Sequence, residues 1–197
     1  TVPFINGCDN SYHPCQILAD ALTILEKFGT LDVNLMYIGA KNNVFNSHVE
    51  FFSKMKKGTL YGLTPLVNET ACGPDFYEEA KKSGHYIELD PAMSMEEAKE
   101  YANKMDVLYT DTWVDMEFFN NPAYQKQKEE TLAKMMPYQL NGDFTKDSKA
   151  IVFHDMPMHV GFEISQDVVD KNLDHILDEA ENRRHAEKAV MYTLLNS

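Results

Sequence analysis

Apolar positions along this chain alternate between two rhythms. From Pro14 to Phe28 they recur at helical spacing, with Ile17, Leu18, Ala21, Leu22, Leu25 and Phe28 on one face. Pro14 suits the first helical position and Gly29 the position after the last. Val33 to Ile38 then reads as a short buried strand. Gly39-Ala40-Lys41 reads as a turn into a helix from about Asn42 to Met55, with Val44, Val49 and Phe52 as core contacts. The alternation continues with a strand over Thr59 to Leu63, a helix over Pro74 to Ser83 ended by Gly84, and a strand over Tyr86 to Leu89. Ser94-Met95-Glu96-Glu97 is a capping box opening a further helix. A strand over Val107 to Thr110, a helix over Ala123 to Met135, a strand over Ala150 to Phe153 and a last helix from about Asp174 to Leu195 complete the pattern. The middle of that last helix, Glu181 to Lys188, is almost wholly polar, an interruption that a core helix would not normally carry.

Strands alternating with helices predict an α/β fold, a mostly parallel sheet with helices on both faces. Neither an internal repeat nor a low-complexity stretch is evident. No apolar run approaches the roughly 18 or more residues of a membrane span. The opening residues, Thr1 to Gly7, lack the basic start and small-residue cleavage site of a signal peptide; they read as a strand entering a loop, so the chain is expected to begin inside a larger structure.

The net charge of −13 argues against nucleic acid or an anionic membrane as partner, because both demand basic surface. Cys8, Cys15 and Cys72 are too few and too irregular for a disulfide framework or a zinc site, and reduced thiols in a cytoplasmic protein are expected.

Candidate chemistry sits where strands end and helices begin. At His13-Pro14-Cys15-Gln16, free backbone N–H groups and the positive end of a helix favour an anion or a developing oxyanion. His13 can donate to a carbonyl oxygen and Gln16 can read an amide; the plainer alternative is an ordinary cap with a solvated histidine. Asn42-Asn43 is either turn chemistry or an amide donor to a substrate carboxylate. Asp111 and Asp115 flank the only tryptophan, Trp113; Asp111 is placed to hold an ammonium group, unless the loop is simply acidic and solvated and Trp113 is core. In His154-Asp155-Met156-Pro157, a metal set of His154, Asp155 and His159 lacks further ligand spacing, and Asp155 needs a cationic partner or water. Arg183 and Arg184 either pair with Glu179, Glu181 or Glu187 at helical spacing or reach an anion. No Gly-x-Gly-x-x-Gly or P-loop is present.

In this order the segments resemble the ornithine/aspartate carbamoyltransferase family, its ornithine branch above all, over nearly the whole chain. "PFINGCDNSYHPCQILADALTILEKFG" (Pro3 to Gly29) is similar to the family's carbamoyl-phosphate loop and following helix. "YIGAKNNV" resembles its Gly-Asp-x-x-Asn-Asn-Val strand end, "DVLYTDTWVDM" its Tyr-Thr-Asp-x-Trp-x-Ser-Met-Gly loop, "FHDMPMHVGFEIS" its His-Cys-Leu-Pro loop, and "EAENRRHAEKAVMYTLL" its final helix. The resemblance implies carbamoyl transfer from carbamoyl phosphate to the side-chain amine of ornithine, giving citrulline and phosphate, or the reverse in arginine breakdown, with neither metal nor cofactor. His13, Gln16 and Arg183 would contact carbamoyl phosphate. Asn43 would hold the substrate carboxylate, Asp111 the α-ammonium, and Asp115 and Met116 would line the amine loop. Beside what the resemblance implies, the chemistry of a carboxylate at Asp155 makes it the expected acceptor of the amine's proton, directly or through water, which completes a catalytic set of His13, Asp111 and Asp155.

The resemblance further implies that residues 1–172 form the amine-binding domain, and that residues 173–197 form a helix returning to a carbamoyl-phosphate domain absent from this sequence, whose Ser-x-Arg-Thr motif is not found. A homotrimer is implied for the full-length enzyme. Asp115 stands where the family has serine, Glu117 where it has glycine, Asp155 where it has cysteine, Met156 where it has leucine, and Ala40 where it has aspartate. The added carboxylates leave another amine such as putrescine open as acceptor, or a non-catalytic module that binds a small molecule.

Overall fold

The computed structural model describes residues 2–114 and 116–196, and of residues 116 and 117 the backbone alone. Its sheet has five strands: β1 (Asn34–Lys41), β2 (Thr59–Val67), β3 (Tyr86–Glu88), β4 (Val107–Thr110) and β5 (Ile151–His154). Their order is β3-β2-β1-β4-β5, and all four pairings are parallel. The helices are α1 (Pro14–Phe28), α2 (Asn43–Met55), α3 (Pro74–Lys81), α4 (Met95–Ala102), the short α5 (Met116–Phe119), α6 (Gln125–Met135), the short α7 (Gly142–Thr145) and α8 (Gln166–Leu195).

Successive strand residues point to opposite faces, and each face builds its own core. Leu35, Tyr37, Leu60, Tyr86, Val107, Tyr109 and Phe153 meet α1, α2 and α3 through Ile24, Phe45, Val49, Phe52 and Tyr77. Met36, Ile38, Leu63, Leu108 and Val152 meet α4, α7 and the start of α8 through Ala98, Phe144, Val168, Val169 and Ile176. The α8 helix begins on this second face, passes the edge strand β5 and packs its middle against α1 on the first. On the way Asn172 accepts the backbone N–H of Val152 at 3.0 Å, closing part of the open edge.

Several elements depart from the sequence expectation. Residues 2–13 contain no strand; they form a loop in which Asp9 Oδ1 accepts from the N–H groups of Ser11 and Tyr12, both at 2.7 Å. The β1 strand runs on through Gly39-Ala40 to Lys41, because β2 also lengthens and pairs with it beyond a register shift between Ile38 and Ala40. Pro65, which has no N–H to give, lies on β2 inside that irregularity. The α8 helix starts at Gln166 rather than near Asp174, driven by burial of Val168 and Val169, and runs unbroken across residues 172–173. Most consequential is α1. Leu18 and Leu25 of its expected apolar face are exposed, while Gln16, Asp20 and Thr23 are buried with Ile17 and Ile24.

Gly58 marks the tight return from α2 to β2. Its φ is +65°, and a Cβ added there would lie 2.2 Å from the carbonyl oxygen of Val33. Gly58→Ala is expected to lower stability by about 1–3 kcal/mol, the usual cost of overpacking, measured as a drop in urea midpoint with unchanged slope.

Candidate functional site

The connections that follow β1 and β4 leave the sheet in opposite directions, which opens a crevice at the carboxyl ends of these adjacent strands. Asn42 caps α2 there: its Oδ1 accepts from Phe45 N at 2.9 Å, and its Nδ2 donates to Asp111 Oδ2 at 2.7 Å. The other oxygen of Asp111 accepts from Thr112 N at 2.6 Å. Burial pushes the Asp111 carboxyl up to about 6, against the opposing pull of His154 and these hydrogen bonds.

The next strand, β5, ends at His154. Its Nε2 faces Glu163 Oε1 at 3.2 Å, and its Nδ1 faces the carbonyl of Asp155 at 2.9 Å. Burial alone would lower the His154 pKa, but the Glu163 bond and the charges of Asp111, Glu163 and Glu179 outweigh it and raise it. Asp155 follows, with Oδ2 3.8 Å from His13 Nε2. Burial, then the negative charges of Asp111 and Glu179, push Asp155 up to about 8. Burial and the neighbouring Arg183 charge push His13 down to about 4. At neutral pH the His13–Asp155 contact is therefore between a neutral ring and a mostly protonated acid, not an ion pair.

Arg183 reaches this corner from the polar middle of α8. Its Nη1 donates to Gln16 Oε1 at 2.9 Å and lies 3.5 Å from His13 Nε2, while its Nε donates to Glu187 at 3.0 Å. Arg184 instead pairs with Glu181 at 2.6 Å on the surface. His13, Gln16, Asp155 and Arg183 thus come together, with Asp111 and His154 at the neighbouring strand ends. Asn43 is turned elsewhere: its Nδ2 donates to Asp9 O at 2.8 Å and fastens the 6–12 loop to α2. Asp115 lies outside the described residues, as does the side chain of Met116.

The sequence model described as aspartate/ornithine carbamoyltransferase, Asp/Orn binding domain, matches residues 31–194. The chain belongs to the aspartate/ornithine carbamoyltransferase family. Among its relatives, the ornithine carbamoyltransferase of Pyrococcus horikoshii is 37% identical over 99% of the chain and 59% of its own length. That of Archaeoglobus fulgidus is 34% identical, over 99% of the chain and 60% of its own length. The solved ornithine carbamoyltransferase of Pyrococcus furiosus superposes with a TM-score of 0.78 at 34% identity, covering 97% of this chain and 59% of that one. The chain spans about 60% of the length of the curated relatives it matches. His13 and Gln16 precede the segment matched by the family model, but fall within what these relatives cover.

Three residues of this cluster escaped the sequence reading as site groups: Asp20, Glu163 and Glu179, all buried. The buried positions of α8 include Val168, Val169, Ile176, Glu179, Asn182 and Ala186, so the polar residues Glu179 and Asn182 continue the phase of the apolar stripe. That phase is the signal by which they were findable.

The Asp155 shift has a consequence for stability. The folded chain keeps this proton up to about pH 8, whereas an unfolded aspartate releases it near 3.9. Between those values the folded state binds more protons, so this group makes stability fall as pH rises through the window. Asp155→Asn is expected to gain on the parent chain between pH 5 and pH 8 in paired urea titrations, and an equal difference at both pH values would contradict the assigned shift.

Proposed function

We propose that this chain is the acceptor-amine half of an enzyme that transfers a carbamoyl group from carbamoyl phosphate to the side-chain amine of ornithine, giving citrulline and phosphate or running in reverse in arginine breakdown. The observation that carries the reading is the meeting of His13, Gln16 and Arg183, donors suited to a carbamoyl oxygen and a phosphate, with Asp155, in a member of this family. Most phosphate contacts would come from a further domain, and the enzyme would work as a cytoplasmic homotrimer. The exposed Leu18 and Leu25 of α1, and Met191, Tyr192 and Leu195 near the end of α8, support further protein contacts.

In this mechanism His13 and Arg183 orient the carbamoyl group and stabilise the oxyanion as the tetrahedral intermediate forms. The lowered pKa of His13 leaves a neutral imidazole with one ring N–H to donate. Asp111, with a pKa of about 6, is mostly ionised at neutral pH and holds an ammonium. Asp155 in its ionised form accepts the proton that the attacking amine loses, directly or through water. Asn43, Asp115 and Met116 would line the rest of the amine pocket. No cofactor enters.

A second reading differs in the acceptor alone. Asp111 is buried and the Asp155 side chain is 13% exposed at the amine end, and this pair of carboxyls favours a diamine such as putrescine if the substrate brings a second cation in place of a carboxylate. Aspartate is disfavoured as acceptor because the ionised Asp111 repels a dicarboxylate.

The test uses the longest natural polypeptide that contains this sequence, assayed for ureido product with carbamoyl phosphate and either ornithine or putrescine. His13→Ala is expected to lose about 10²–10³ in turnover, the usual effect of removing one oxyanion donor; a loss under about threefold would remove that role. Asp155→Asn is expected to abolish the rise in rate through pH 8. An unchanged rate and pH profile would take Asp155 out of the mechanism.

A further inference from the structure

We infer that Glu179 is a positioning residue for the carbamoyl end of the site, fixing the side-chain amide of Gln16 so that only its oxygen faces Arg183. The inference rests on the carbamoyl-transfer reading for its functional meaning and on the following geometry for its substance.

Glu179 is 0% exposed. A carboxyl so placed costs several kcal/mol unless its oxygens are satisfied, and three elements satisfy them. Gln16 of α1 donates through Nε2 at 2.8 Å, Tyr109 of β4 through its hydroxyl at 3.2 Å, and His154 of β5 through its backbone N–H at 2.9 Å. The same Gln16 nitrogen donates to a second buried carboxyl, Asp20 Oδ1, at 2.9 Å. Two carboxyls on one nitrogen leave the amide a single orientation, with Oε1 turned to Arg183 Nη1 at 2.9 Å. A flipped amide would aim its N–H₂ at a guanidinium, donor against donor, and its oxygen at the acids.

The acids themselves are arranged asymmetrically. Burial raises both, and the charge of Glu179 raises Asp20 further, which makes Asp20 the protonated partner. Its nearest ring, His48, is held neutral by burial and lies 3.4 Å from Asp20 Oδ2 without hydrogen-bond geometry. Asp20 Oδ1 accepts from Gln16, and a protonated Asp20 carries no charge, so asparagine keeps both the acceptor and the neutrality. Glu179 only accepts, a pattern that glutamine breaks, since one of its two positions must then donate against a donor.

The experiment compares Glu179→Gln and Asp20→Asn in the natural polypeptide, with separate KM values for carbamoyl phosphate and for the amine and a melting temperature for each. Glu179→Gln is expected to raise the carbamoyl-phosphate KM roughly tenfold or more, the scale of one charged hydrogen bond, with the amine KM within about twofold. Asp20→Asn is expected to stay within about threefold on both, because the acceptor for Gln16 persists. An unchanged carbamoyl-phosphate KM in Glu179→Gln, an equal rise in both KM values, or equal damage from the two variants would overturn the inference. If Glu179→Gln does not fold, Glu179→Met, apolar and of similar length, carries the same expectation. Wild-type enzyme that turns over no amine would sink the carbamoyl-transfer reading alone. The Gln16 side-chain N–H₂ then decides by hydrogen exchange: protection in wild type and its loss in Glu179→Gln supports the inference, and no protection in wild type overturns it.

Discussion

The geometry of the site depends on a polar seam between α1 and α8. Along it Gln16 meets Glu179, Asn182 donates to Thr23 at 3.0 Å and Glu26 at 2.7 Å, and Lys27 pairs with Asp178. Apolar contacts would hold two helices together while tolerating a slide of one along the other. Buried hydrogen bonds do not, because each misaligned group is left unsatisfied at about 1–3 kcal/mol. His13 caps α1 and Arg183 belongs to α8, so the distance between them is set by the register of the seam.

The same burial that fixes position also divides chemical labour between two aspartates. Asp111 accepts hydrogen bonds from Asn42 and Thr112, which counter its desolvation and leave its pKa at about 6. Asp155 stands closer to net negative charge and is held at about 8. Identical side chains at neighbouring strand ends thus differ in their protonation at neutral pH through environment alone, one mostly ionised and the other mostly protonated.

Much of this architecture could be read from the chain. The limits of α1 followed from Pro14 and Gly29, the capping box at Ser94 forms as the motif requires, and the parallel sheet followed from the alternation of strand and helix. What escaped was orientation. The leucines of α1 define a clear apolar face, but a helix buries what its neighbours complement, and here the complement is polar. Between Asn42 and Asn43 the sequence offered no choice; only the turn of the chain after Lys41 directs one toward Asp111 and the other toward the 6–12 loop. Residue pattern locates the strand ends where ligands gather, whereas the buried partners that aim those groups come from distant segments whose meeting is a property of the packed fold.

The position of α8 at the edge of the sheet has a consequence for biosynthesis. Of the described elements it emerges last from the ribosome, and until it docks, β5 presents unpaired backbone groups such as the N–H that Asn172 later receives. A nascent chain in that state offers a template for strand addition by another copy. Completion of the site and removal of this aggregation hazard are therefore the same event, and a chain that has not yet assembled its chemistry is also the one most in need of chaperoning.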